Sequence, residues 1–216
     1  MITLAIDAST YRGTVAVLRG RDVIATAESA MRGAHAEALM PAVARVLADA
    51  GLTVKEIDRV ICGEGPGSFT SLRIAASIAK GICSGLRLPL FAASSLGLTL
   101  ASARVNAGMY VVTLDALRDE WYAAGFSRAD SGTVSQRTPV TLVAKSEIDG
   151  FAAATGGTVI GAARGDAEPH ASGCVGLLDE IERAGPVDLA RWEPAYGRLA
   201  EAQVKWEAAH GRALNA

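Results

Sequence analysis

Short, dense apolar runs separated by turn residues open the chain. TLAI reads as a buried strand ending at Asp7, TVAVL as a second strand and DVIATAE as a third. HAEALMPAVARVLADAG switches to the period of an amphipathic helix, and RVICG returns to a fourth strand. The glycine-rich GEGPGSFTS then leads into a second helix, LRIAASIAKGICSG. Past residue 106 the order starts again. MYVVTL closes on Asp115, EWYAAGF and the segment around TVSQRTPVTL supply two further strands, KSEIDGFAAA a helix, TVIG a strand and CVGLLDEIERAG a last helix.

Two pairs of marks tie the copies together: Ile6-Asp7-Ala8 with Leu114-Asp115-Ala116, and Cys62-Gly63 with Ile160-Gly161. Three strands followed by a crossover helix and a parallel strand predict a mixed sheet with helices on its faces, so an α/β chain. The expected division lies at residues 102–106, giving units 1–102 and 103–216, each of minimal domain size.

Composition narrows the function classes. Half of the 216 residues are hydrophobic, which is enough for one sizeable core or two small ones, and nothing in the composition suggests disorder. Formal net charge is −2 and the basic residues are scattered, so the chain carries no electrostatic footprint of its own for nucleic acid; any contact with RNA is expected through a partner. The three cysteines are odd in number and at no metal-ligand spacing, which predicts reduced thiols and a cytoplasmic location. MITLAID lacks a basic leader, and the uncharged run Leu88 to Ala103 contains Pro89 and is too short for a membrane span, so no membrane is expected.

The glycine stretch invites a phosphate. Yet it has neither the lysine-Ser/Thr step of a Walker loop nor the third glycine of a dinucleotide fingerprint, Pro66 offers no N–H, and Glu64 sets a negative charge where an anion would sit. The favoured reading is a tight strand-to-helix turn with Ser68 or Thr70 as the helix cap; weak nucleotide or anion contact at the Gly67 and Ser68 N–H groups, with Asp7 nearby, stays open. Asp7 and Asp115 could face one cleft, but two acids are few for a metal. His35, His170 and His210 have no partner at helical spacing, and His35 reads as a first-turn structural residue. No catalytic residue and no metal ligand is assigned.

Projection of the second helix gives a core arc of Phe69, Leu72, Ala75, Ala76, Ala79, Ile82, Cys83 and Leu86, and a polar arc with Arg73, Ser77, Lys80 and Ser84. Ile74 and Ile78 fall outside both, in a strip with Ser71, Gly81 and Gly85. On the first helix Met40, Ala44 and Leu47 spill past a core arc of Leu39, Val43, Val46 and Ala50. Such a strip either packs under the chain's own second half or docks a partner.

The duplicated order with an Asp closing the first strand resembles the actin-like ATPase and sugar kinase superfamily, built from two ribonuclease H-like lobes. LAIDAS, RGAHAEALMP, GEGPGSFTSLRIAASIAKG, LDALRDEWYAA and EPAYGR are similar, in order and spacing and over nearly the whole chain, to the TsaB (YeaZ) family. The resemblance implies a first lobe at 1–102 and a smaller, degenerate lobe at 103–216. It implies a non-catalytic scaffold or activator in the machinery that makes N6-threonylcarbamoyladenosine (t6A) in tRNA. The partners would be a TsaD-type homologue as heterodimer mate, a TsaE-type ATPase, and a TsaC-type synthase that makes the threonylcarbamoyl-adenylate. It further implies no cofactor of its own, with ATP or ADP at the complex boundary as an open point and a homodimer as another. The histidine pair that holds metal in the TsaD relatives is absent from ASSLGLTLAS. Three departures stand out: Glu64 where a basic or apolar residue is common, Ser71 for a glycine, and Leu117-Arg118 where the family often has arginine first. The resemblance tips the apolar strip toward a subunit contact. The alternative is an independently active small ATPase, kinase or peptidase-like enzyme of the same superfamily.

Overall fold

The computed structural model describes residues 1–31 and 38–197. Two five-stranded sheets organise it. The first has the order β3-β2-β1-β4-β5, from β1 (Ile2–Asp7), β2 (Arg12–Arg19), β3 (Asp22–Ala30), β4 (Arg59–Gly65) and β5 (Leu90–Ser94). β1 pairs antiparallel with β2 and parallel with β4, the mixed arrangement expected when a helical crossover follows a three-stranded meander. The second sheet runs β10-β6-β7-β8, with β9 also pairing β7: β6 is Gly108–Asp115, β7 Glu120–Arg128, β8 Val134–Gln136, β9 Thr141–Ala144 and β10 Thr158–Gly161. The segment around TVSQRTPVTL, expected to yield one strand, yields β8 and β9. Pro139 cannot donate to a ladder, and the residues before it turn inward so that Arg137 N bonds Gly125 O at 2.8 Å.

Strand alternation sends side chains to two different cores. Leu4 and Ile6 of β1 point outward to a cluster under α1 (Leu39–Asp49) and α2 (Phe69–Leu86), while Ala5 points inward. That inner cluster joins both sheets. It contains Leu96, Leu98 and Leu100 of α3 (Ser95–Ser102), Val112, Leu114 and Phe126 of the second sheet, and Leu177, Leu178 and Ile181 of α5 (Cys174–Ala184). A third cluster lies between the second sheet and α4 (Ile148–Thr155). Every residue from Ser95 to Leu100 is buried, which accounts for the uncharged stretch before residue 103: it is an internal helix, covered on all sides. Among the described residues, no helix is long and apolar enough to cross a membrane.

The chain past α5 returns to the first sheet. Val187 N bonds Leu90 O on β5 at 2.8 Å, and Ala195 N bonds Glu64 O on β4 at 2.7 Å. Residues 186–197 thus form a strap from the second half to the glycine loop. Arg59 reinforces the joint: buried in β4, it donates to Thr3 Oγ1 and to Glu182 of α5 at 2.8 and 2.9 Å.

Two of the strip residues are placed differently from expectation. Leu47 is buried in the first outer core, because α1 lies across β2 and β3 and its covered arc is wider than the helical projection gives. Ser71 is also buried, with its hydroxyl 3.0 Å from that of Ser68. Ser68 stands at the N-cap of α2 but caps no backbone N–H with its side chain, so the capping role expected for it is not found. Met40 and Ala44 are exposed, Ile74 and Ile78 are half-buried at the margin of that core, and Gly81 and Gly85 are exposed.

Candidate functional site

β1 ends at Asp7 where the strand leaves the sheet, and the carboxylate turns into a closed niche rather than a cleft. Asp7 is fully buried. Its Oδ1 accepts from Ser9 N at 3.0 Å and Ser9 Oγ at 2.8 Å, and its Oδ2 accepts from Ser95 Oγ at 2.6 Å. Gly63 forms the remaining wall: a methyl group there would run into the Asp7 carboxylate, so the glycine is required by the acid's position. Burial pushes the Asp7 carboxyl above the usual carboxylate range, against the lowering effect of the Ser95 and Ser9 hydrogen bonds.

Ser95 is a site residue that the sequence does not single out. Its hydroxyl donates to Asp7 and accepts from Gly65 N at 3.1 Å, linking the strand-end acid to the glycine loop from 88 residues away. A serine opening an apolar run is the available signal, and nothing local gives it a partner.

The loop itself packs on the β1–β2 turn. Ser68 N donates to Ser9 O at 2.7 Å, and a methyl at Gly67 would collide with that same Ser9 carbonyl. The Ser68 N–H, a candidate anion contact, is therefore already spent on this chain's own backbone. That is the physical reason for three glycines in five residues: Gly63 and Gly67 let carboxylate and main chain approach closely, and Gly65 holds a positive φ of 93°.

Beside this sealed niche lies an open cleft of about 780 Å³ between the halves. Ser9, Gly67 and Phe69 line one side, Asp115, Arg118 and Trp121 the other, and Tyr196 of the strap closes an end. Tyr196 packs at a tilt against Phe69 with ring centroids 4.6 Å apart, and Tyr122 Oη donates to Tyr196 O at 3.3 Å. Asp115 ends β6 at the position matching Asp7, yet it stands in solvent. It accepts from Leu117 N at 3.1 Å and pairs with Lys145 at 3.4 Å, whose ammonium lies 4.2 Å from the Trp121 ring centroid. Leu117, Arg118 and Asp119 all hold positive φ, at 61°, 51° and 59°, so the turn that carries Arg118 is left-handed throughout.

Asp7, Gly67 and Ser68 are thus close in space, while Asp7 does not reach the cleft that Gly67 and Ser68 line. Among the described residues, no three His, Cys, Asp or Glu side chains converge to hold a metal. His170 is engaged with Ser172, whose hydroxyl is 2.7 Å from Nδ1, and its Nε2 lies 3.6 Å from Glu28. His35, His210 and the terminal EAQVKWEAAHG lie outside the described residues.

Comparison with known proteins fits this arrangement. Residues 28–164 match the family model described as "TsaD: tRNA N6-adenosine threonylcarbamoyltransferase". Proteins named tRNA threonylcarbamoyladenosine biosynthesis protein TsaB are 33% identical over 139 residues in Bacillus subtilis strain 168 and 35% identical over 135 residues in Escherichia coli K12. The chain belongs to the TsaB (YeaZ) family. The matched stretches cover 64% and 61% of this chain and 60% and 58% of those two relatives. The solved structure titled "YeaZ from Pseudomonas aeruginosa" superposes with a TM-score of 0.74 at 22% identity, covering 90% of this chain and 99% of that one. The shared fold is therefore the two-lobed α/β architecture with a mixed sheet in each lobe, consistent with the ribonuclease H-like, actin-like class.

Proposed function

We propose that this chain is a non-catalytic subunit of the t6A machinery in the cytoplasm, acting by docking on a TsaD-type transferase. A TsaE-type ATPase would join the assembly, a TsaC-type synthase would supply it, and tRNA would be reached through the complex. The names of the TsaB relatives support the pathway. The observation that carries the non-catalytic reading is the Asp7 niche: the strand-end carboxylate is saturated by Ser9 and Ser95 and walled by Gly63, so neither substrate nor a metal-nucleotide complex can reach it.

The proposed docking face runs along α2 beside Met40 and Ala44 of α1. Gly81 and Gly85 support it. Nothing lies within 4 Å of where a Cβ would stand at either position, and neither adopts positive φ, so the fold of this chain does not require glycine there. A helix-interior glycine costs about 1 kcal/mol relative to alanine. The gain that offsets this is a surface on which another backbone can lie close, next to the half-buried Ile74 and Ile78.

Size-exclusion chromatography with light scattering, on the protein alone and mixed with its TsaD-type partner, tests the reading. Ile78→Asp is expected to melt within a few degrees of wild type and to lose co-elution, because docking would bury its carboxylate unpaired. Leu72→Asp, in the core, is expected to unfold the protein. Normal melting of Ile78→Asp with retained co-elution would place the contact elsewhere.

A further inference from the structure

Glu64, next to the last residue of β4, is used by neither the Asp7 niche nor the docking face. It lines a second cavity, of about 540 Å³, on the side of the glycine loop covered by the strap. Ala195 N holds its carbonyl, which fixes the residue, while its half-buried carboxylate makes no hydrogen bond or ion pair with the described residues. Ala93 of β5 and Leu177 of α5 give the cavity an apolar floor, Trp192 of the strap adds an indole, and Glu180 and Asp188 add further carboxylates. The nearby cations are turned to other partners. Arg191 pairs with Asp188 at 3.7 Å and is almost fully exposed, and Lys80 lies over the Trp192 ring at 5.9 Å. Burial, together with the charge of Glu180, pushes the Glu64 carboxyl above its ordinary range. A half-buried, unpartnered carboxylate in a cavity also lined by Ala93, Leu177 and Trp192 is complementary to a cation on an aliphatic stem.

We infer that this cavity binds an alkylammonium group, with Glu64 as counter-ion, Trp192 as the wall for the stem, and either a free aliphatic diamine or a lysine side chain of a partner as the source. The inference is independent of the t6A reading. Ligand binding would require Glu64 to give up its proton, so affinity rises as pH rises through the range where Glu64 titrates; Glu180, Asp188 and Arg191 are the other charged groups on the cavity walls.

Calorimetric titration of the full chain tests this, with 1,4-diaminobutane in one arm and Nα-acetyllysine methylamide in the other. The expected result is saturable one-to-one binding of at least one probe that strengthens with pH, about tenfold weaker or worse in Glu64→Gln and unchanged in Glu147→Gln, an exposed carboxylate elsewhere. Binding of the diamine alone assigns a free polyamine, and binding of the lysine analogue alone assigns a protein side chain. Glu64→Gln is expected to fold at least as stably as wild type, since it removes an unpaired charge; Glu180→Gln provides a second variant on the same cavity. Absence of saturable binding by both probes, equal affinity in Glu64→Gln, or an equal loss in Glu147→Gln would overturn the inference.

Discussion

Asp7 and Asp115 end the first strands of the two halves on the same apolar-Asp-Ala step, and their surroundings are opposite. Asp7 is sealed by two serines and a glycine with no solvent contact, whereas Asp115 stands in the open cleft, paired with Lys145 and the Leu117 N–H. The difference lies in the loops that neighbour each strand end. Beyond β1 the β4–α2 loop folds over the acid, and α3 brings Ser95 against it. Beyond β6 the equivalent strand β10 ends at Gly161, whose N–H is taken by Asp166, and the loop that follows lines the open cleft with Asp115 instead of sealing it. Residue type at a strand end therefore does not assign a role; the closure of the neighbouring loop does.

The largest effect expected from this comparison is at the loop glycines. Gly67→Ala forces a methyl into the Ser9 carbonyl, backbone against backbone, and should destabilise by about 3 kcal/mol or more, lowering the melting temperature by many degrees. Gly165→Ala, in the second half, meets open space and carries only the strain of its left-handed φ of 67°, about 1 kcal/mol. Equal melting of the two variants would mean that the first loop is not closed.

Asp7→Asn sharpens the contrast through pH. The folded carboxyl is raised above its unfolded value, so its favourable contribution is complete below the unfolded range and is lost as pH rises through the folded one. The stability of wild type relative to Asp7→Asn should therefore fall with rising pH, as followed by chemical denaturation across the acidic to neutral range. A flat difference would show that burial does not burden the acid. At the smallest end, Asp115→Asn removes one exposed ion pair and should cost less than about 1 kcal/mol in the same measurement.

Much of the fold can be read along the chain because its elements are strongly patterned. The continuous apolar runs of β1 and β2 and the arc of α2 from Leu72 to Cys83 correspond to the buried residues observed. The features that escape such a reading depend on contacts distant in sequence. Ser95 has no local reason to meet Asp7, and the strap 186–197 has no periodicity because it pairs through isolated bonds at Leu90 and Glu64. Leu47 falls in an outer strip on a helical projection because the projection gives direction but not the width of the covering layer. In the candidate site, the grouping of Asp7 with Gly67 and Ser68 is legible in the sequence. That the loop seals the acid, and spends the Ser68 N–H in doing so, comes from backbone approach at Gly63 and Gly67 that only three dimensions reveal.

If Asp7 holds the loop together and performs no chemistry, the most direct test is the rate of t6A formation by the reconstituted system containing the Asp7→Asn chain, measured with co-elution of the subunits as the control for assembly. Activity within a few-fold of wild type is the expected result, whereas loss of a catalytic acid or metal contact costs about a hundredfold or more. A thousandfold loss with assembly intact would place Asp7 in the reaction and contradict its structural role.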